Sequence, residues 1–336
     1  MMKLVRLAAV CSLLSLAAGP SLGQEYVLRL GFDQPPESPL AASLQAFKAE
    51  AERAGEGTLT IELLTGEGAY SEQDLAQAIG SGAVEIALLP LKEIEEPKVS
   101  LSLLQVPVVF DSIANRTDAL APGAPLRSAL DKEVRRLGGQ ALWWPADEPG
   151  LLQAARPSAR LPGELAGRPV VTTEAPMVSY IAFLRGVPLP APGPDTEPQF
   201  KMSRLSALDT PDGADGMNAH RIIGYSLGAF VLIVNLRYWN ELPRGVTDAL
   251  RQAAEAAERQ HTVDLEAEVQ KTLANASARG FSVEPMSDRV QAQWRLRAWE
   301  LWSLELYAAR ERGTLLQRAA EWMRNQTQAD IEASFE

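Results

Sequence analysis

Two histidines, His220 and His261, and one cysteine, Cys11, are the whole supply of imidazole and thiol in 336 residues. With no CxxC, no HExxH and no Cys/His cluster, a zinc or iron–sulfur centre has too few ligands to be built, and no metal or other cofactor is expected. A serine hydrolase needs a nucleophile turn with a base and an acid in reach. Gly80-Ser81-Gly82 and Gly224-Tyr225-Ser226-Leu227-Gly228 come nearest, and both read as small-residue turns, the second leading into a strand. His220 and His261 read as surface or cap residues rather than general bases. Asp209, Asp212 and Asp215 crowd one loop, but Gly213 and Gly216 interrupt it and no closing Glu follows, so the calcium-loop pattern fails. A GxxxxGK[ST] phosphate loop is also absent from the sequence. No catalytic constellation emerges, and the expectation is a binding protein, not an enzyme.

Charge narrows the partner. The chain has 32 Lys+Arg against 43 Asp+Glu, a net charge of −11, with no basic cluster, so nucleic acid would be repelled. Residues 1–23 have the form of a secretory signal peptide: Lys3 and Arg6, the apolar run Leu7 to Ala18, then the small residues Ser21 and Gly23. The apolar run falls short of the roughly 20 residues of a membrane-spanning helix. Cleavage near Gln24 would place the mature chain in the periplasm without Cys11, with a net charge of −13 once Lys3 and Arg6 are gone.

The elements that must position a ligand read as alternating strands and helices. Tyr26 to Gly31 is a strand ending at the turn Asp33-Gln34-Pro35-Pro36, and Ser38 caps a helix with Pro39 at its first position. A strand over Thr58 to Leu64, a helix capped by Ser71 and an apolar strand over Val84 to Leu89 complete a βαβαβ unit, which requires parallel strands and puts ligands at their carboxyl ends. A second set starts at Gln140 to Trp144 and Leu151 to Ala155, continues through a strand at Arg168 to Thr172 and a helix at Ala175 to Arg185, and reaches a buried strand at Gly228 to Asn235. From about Pro243 to Ala278 only Gly245 interrupts a helical pattern, about 50 Å of helix. A further helical stretch runs from Ser287 to Gln326, with Trp294, Leu301 and Leu304 on its core face. The expected architecture is a two-lobed α/β fold of the periplasmic-binding-protein kind: lobe I over 24–145, lobe II over 146–235, and long helices over 236–336 packing on both.

Six segments, in order, resemble the substrate-binding subunit of tripartite ATP-independent periplasmic (TRAP) transporters of the DctP type. They are Leu28-Arg29-Leu30-Gly31-Phe32 with Pro36, Ser38 and Pro39; Ile79 to Leu88; Val106 to Phe110; Gly138 to Trp144; Leu161 to Gly167; and Val231 to Pro243. The resemblance implies an extracytoplasmic receptor that holds a small organic ligand, in most cases an organic acid, between two lobes and passes it to membrane permease subunits. The sequence leaves the oligomeric state open. A divergent binding or sensor protein of the same fold that no longer serves transport is the alternative.

Candidate ligand contacts lie at strand carboxyl ends: Phe32, Asp33 and Gln34 after the first strand, Glu67 and Tyr70 after the second, Trp144, and Thr172 with Thr173, together with Asn218 and Tyr225 further on. Two departures from the family stand out. Val171 occupies the place where the family usually has an Arg that pairs with the ligand carboxylate, which leaves Arg168, Arg204 or Arg221 as substitutes, or a ligand that is not a typical carboxylate. Beyond Leu205 to Leu208 the family's helix is shortened or lost, with Asp215-Gly216 retained.

Overall fold

The computed structural model describes residues 25–65, 70–93, 108–110, 112–156, 160–173, 175–191, 198–210, 217–224 and 230–308, with Leu104 and Asn325 standing alone. The signal-peptide reading, Glu67, Tyr225 and Ser226 therefore lie outside the described residues.

The first lobe begins as the sequence pattern predicts. Strand β1 (Tyr26–Gly31) leads to helix α1 (Pro39–Ala54), where the Ser38 side chain accepts from the Ala41 N–H and Pro39 opens the first turn. Strand β2 (Leu59–Leu64), helix α2 (Glu72–Ser81), capped by Ser71, and strand β3 (Ile86–Pro90) follow. β1 lies parallel to both β2 and β3. Helices α3 (Ile113–Ala119) and α4 (Pro125–Arg136) then lead to β4 (Gly139–Trp143).

Lobe II is built on β5 (Gly150–Ala154), β6 (Pro169–Val171), helix α5 (Ala175–Phe183), β7 (Val187–Leu189), β8 (Phe200–Arg204) and β9 (Ala219–Gly224). The chain returns as β10 (Phe230–Asn235), helix α6 (Leu236–Glu241), the 35-residue helix α7 (Arg244–Ala278), β11 (Val283–Pro285) and helix α8 (Asp288–Ala308). Two sheets result, with strand orders β2-β1-β3-β10-β4 and β11-β9-β5-β8-β6-β7.

Here the structure differs from the expected division of the chain. β10, assigned from sequence to lobe II, lies in the first sheet, antiparallel to β3 on one side and β4 on the other. It fills the gap between them with an almost wholly apolar run, as a strand covered on both faces requires. The second sheet closes with β11 from the C-terminal third, parallel to β9. At the end of β9, Gly224 adopts φ +140°, and a Cβ there would fall 2.7 Å from the Val108 Cα, so only glycine admits this close backbone approach.

Alternation along β3 and β10 divides the core of lobe I. Ile86, Leu88, Leu232 and Val234 face α1 and the first half of α7, where Ala249, Leu250, Ala253, Ala254 and Ala257 pack with Leu44, Phe47 and Ala51. Ala87, Leu89, Val231 and Ile233 face the other way, toward α2 and α4. The second half of α7 leaves lobe I and packs Leu265, Val269 and Ala276 on Leu151, Leu205 and Leu208 of lobe II. In α8 the core face is Val290, Trp294, Ala298 and Trp302, each four residues from the next, and Leu304, expected on that face, is 58% exposed.

A buried arginine on α4 is tied to a part-buried glutamate on α7. Arg127 donates to the carbonyls of Leu120 (2.9 Å) and Leu142 (2.8 Å) and to both oxygens of Glu258 (3.0 and 3.2 Å). Removing Arg127 leaves the part-buried carboxylates of Glu258 and of Asp131, 3.4 Å from its Nε, without their cation, at a cost of about 1–3 kcal/mol. Arg127→Met is therefore expected to lower the unfolding free energy by about that amount in urea titrations, and Arg127→Met combined with Glu258→Leu to recover part of the loss, Asp131 still lacking its cation. Equal stability of Arg127→Met and wild type would show that the pair contributes nothing.

His220, expected at the surface, is buried in β9 between Gln153 of β5 and Val283 of β11, with Phe281 edge-on at 5.5 Å. Neither ring nitrogen makes a hydrogen bond of ordinary geometry among the described residues. Burial holds its pKa below the ordinary 6.5, so below about pH 6.5 the unfolded chain takes up a proton that the folded chain refuses, and stability falls as pH falls. Buried His261 contributes with the same sign. Thermal melts at pH 7.5 and 5.5 are expected to show a smaller drop for His220→Leu than for wild type; an identical drop would remove His220 as a source.

Candidate functional site

Leaving β4 for lobe II, the chain passes through residues 144–149 outside any helix or strand, where main-chain carbonyls lack ladder partners. Those of Trp144, Pro145, Ala146 and Pro149 are supplied from elsewhere. Arg116, buried on α3 beneath Phe110, donates from Nη1 to the Trp144 carbonyl (3.1 Å) and from Nη2 to that of Pro145 (2.7 Å). Burial pulls its guanidinium down to about 10, which still leaves it charged at neutral pH. His261 of α7 meets the Ala146 carbonyl through Nε2 at 2.8 Å. A carbonyl only accepts, so Nε2 carries a proton, and Nδ1 contacts the Ser43 hydroxyl of α1 at 3.0 Å. Asp147 pairs with Arg204 at the end of β8. Glu148 accepts from the N–H and hydroxyl of Ser206 at 2.6 and 2.8 Å, and the Pro149 carbonyl accepts from the Leu205 N–H at 3.0 Å.

This crossing forms one wall of a cavity of about 500 Å3 between the lobes. Lobe I contributes Asp33, Gln34, Ser38 and Leu40 from the region joining β1 to α1, with Glu72 and Phe230. Lobe II contributes Arg204, Leu205, Ser206 and Asp209, and α7 closes the side with His261, Leu265, Glu268, Val269 and Thr272. Apolar atoms make up most of the lining surface, with polar side chains from both lobes and α7 among them, a make-up suited to a small-molecule site. Burial and the neighbouring Asp147 push the Glu148 carboxyl above its ordinary range, against the pull of Ser206 and Arg204. A second cavity of about 550 Å3, between α2 and α4, is lined from lobe I alone.

Of the residues proposed from sequence, Gln34 lines the interlobe cavity, as does its neighbour Asp33. Phe32 is buried in the α1-side core at 3% exposure. Trp144 is a core residue at 1% exposure whose indole N–H donates to Asp131 at 2.7 Å. Tyr70 packs half-buried against the other core of lobe I. Thr172 is buried at the end of β6 with its N–H on the Leu189 carbonyl, and Asn218 is exposed with its amide on the Ala155 carbonyl. Neither lines this cavity. Val171 is itself buried, beside Leu189 and Lys201. Of the three substitute arginines, Arg204 lines the cavity; Arg221 is buried and pairs with Glu284 at 3.3 Å, and Arg168 binds Gln199 at 2.7 Å. Asp147, Glu148, Ser206, Glu268 and Thr272 went unnoticed in the sequence, because their common wall forms only when β8, the crossing and α7 meet.

Comparison with known proteins supports the same architecture. Residues 222–309 match the DctP family, bacterial extracellular solute-binding protein, family 7. No curated protein matches the sequence. Among solved structures, a TRAP periplasmic solute-binding protein from Ochrobactrum anthropi, whose C-terminus is bound in its ligand-binding pocket, superposes with a TM-score of 0.79 at 11% identity, covering 93% of this chain and 99% of that one. An open apo TRAP protein from Rhodobacter sphaeroides gives 0.75 at 16% identity over 90% and 100% of the two chains. DctP7 of Bordetella pertussis, an extracytoplasmic solute receptor binding pyroglutamic acid, gives 0.66 at 15% identity over 89% and 99%. Among the described residues no helix is long and apolar enough to cross a membrane. The chain thus has the two-lobed fold of the TRAP periplasmic solute-binding proteins, and the resemblance read from its sequence to the DctP type is matched directly by the family over residues 222–309.

Proposed function

We propose that this protein is an extracytoplasmic receptor that captures a small organic acid between its lobes, releases it unaltered, and delivers it to the permease subunits of a TRAP-type secondary transporter. The observation that carries the reading is the cavity of about 500 Å3 whose walls come from both lobes, the crossing between them and α7. A site divided in this way loses half its contacts when the lobes part, so capture and release follow from one rigid-body motion without any bond being made or broken. The pyroglutamic acid held by the Bordetella receptor, a protein of the same fold, supports a carboxylic acid as the ligand. Lys3, Arg6 and the apolar run that follows support export by a signal peptide and residence in the periplasm.

A receptor binds its ligand in the folded state alone and is stabilised by it. Screened by thermal shift against organic acids, the mature chain is expected to respond to its ligand with about 2.7 kcal/mol of added stability at 100 times the dissociation constant. Mass spectrometry of the denatured complex should return the ligand at unchanged mass. A ligand recovered in altered form, or no stabilisation by any acid, would overturn the assignment.

A further inference from the structure

Among the described residues that line the interlobe cavity, carboxylates outnumber guanidinium groups six to one. The one guanidinium, Arg204, is already engaged: Asp147 pairs with it and Glu148 lies 3.9 Å away. A carboxylate brought into this partly shielded space meets negative neighbours and no uncommitted cation in that lining, which is an unfavourable placement. A proton taken up together with the ligand would supply the missing positive charge.

His261 of α7, 2% exposed at the edge of the cavity, is built to receive it. Its Nε2–H is committed to the Ala146 carbonyl, so only Nδ1 can change state. Nδ1 faces the Ser43 hydroxyl at 3.0 Å, and that hydroxyl also lies 2.8 Å from the Pro39 carbonyl, one turn back on α1. The hydroxyl has one proton and two places to direct it. Aimed at Nδ1, it satisfies the neutral ring; turned to Pro39, it presents a lone pair to an Nδ1–H and satisfies the imidazolium. Both charge states therefore keep every hydrogen bond of the ring. Other groups are less suited. Neither ring nitrogen of His220 makes a hydrogen bond of ordinary geometry among the described residues. Glu148 accepts from the Ser206 N–H and hydroxyl, and a proton on its carboxyl would weaken both bonds.

The groups packed around the ring are mixed in charge. From α1 and β4 come Ser43 and the edge-on Trp143, 5.3 Å away, both uncharged. Arg116 of α3 opposes a second proton, whereas Asp147 of the crossing and Asp264, further along α7, favour it. Glu258, one turn back on α7, is held by Arg127. Burial is the largest influence and keeps the ring of the empty site neutral at pH 7.

We infer that capture of an organic acid in this cleft carries a proton onto His261, whose charge then balances the ligand's at close range. This rests on the receptor reading above and adds to it how the ligand's charge is met. An anion in the cavity favours the imidazolium and so raises the pKa of the ring. Between its values in the empty and the occupied site, affinity climbs by up to about tenfold for each unit that pH falls; above the higher value, pH has no effect.

The test uses pyroglutamate, lactate, 2-oxobutyrate and tartrate, acids that stay ionised as pH is varied. Calorimetry at about pH 5.5 and 7.5 is expected to show at least about fivefold tighter binding at the lower value, and titration in two buffers of different ionisation enthalpy to show proton uptake. In His261→Gln, with circular dichroism showing the fold intact, the ratio is expected to fall below about twofold and the uptake to vanish. The chain has only two histidines, so ring 15N NMR, assigned with His220→Leu, reads the same event without altering the site. There, His261 is expected to pass from the neutral Nε2–H form to imidazolium when a binding acid is added at about pH 6.5. A pH-independent affinity, a His261 ring that stays neutral in the complex, or uptake that persists in folded His261→Gln would overturn the proposal and leave the receptor reading standing. No binding by any of the four acids would overturn both.

Discussion

The arrangement of the cleft depends on how the chain is held as it leaves the first sheet. From Trp144 to Pro149 every residue is engaged through a carbonyl or a side chain, by Arg116, His261, Arg204, Ser206 or the Leu205 N–H. Burying a guanidinium and an imidazole is costly, and the compensation here is a set of main-chain carbonyls that would otherwise lie buried without donors. Because donors and acceptors come from α3, α7 and the turn after β8, the crossing takes one path, and that path turns Asp147 and Glu148 toward the cavity.

The long helix ties the α1-side core of lobe I to the core around Leu151, Leu205 and Leu208 in lobe II. Its first half is rich in alanine where it meets α1, which allows close approach, and its second half presents Leu265 and Val269 to the other lobe. His261 marks the change from one core to the other and bonds to the crossing at the same level. The mainly apolar surface of the cavity and its charged groups are therefore carried by elements that also belong to the cores, which fixes their spacing without any dedicated framework.

Local signals in the sequence were read correctly where the physics is local. Ser38 with Pro39, and Ser71, cap the helices expected of them, and α7 runs almost to the predicted limits because Gly245 alone interrupts its good helix formers. What escaped was non-local. An apolar run such as Phe230–Asn235 declares itself a strand but not its neighbours, and pairing with β3 and β4 moved it to the other lobe. Leu126, Leu130 and Val134 of α4 stand four residues apart, a legible helical spacing, whereas β8 and β9 are five and six residues long and offer too few alternations to declare themselves. Position at a strand terminus points to Asp33 and Gln34, which line the interlobe cavity, and equally to Trp144, whose large apolar ring lies in the core. Arg204 and Asp147 are separated by 57 residues, and no spacing rule links them.

The 35-residue α7 also restricts how this chain can vary. Successive residues are displaced by about 100° around a helix axis, so deletion of a single residue near His261 would swing Leu265, Val269 and Thr272 a quarter-turn or more away from lobe II while the alanine face stayed seated on α1. Exchange of side chains along this rod is tolerable one position at a time, whereas any change in its length uncouples one lobe from the other, so drift among descendants of this protein must run through its loops and leave the number of residues in the rod unaltered.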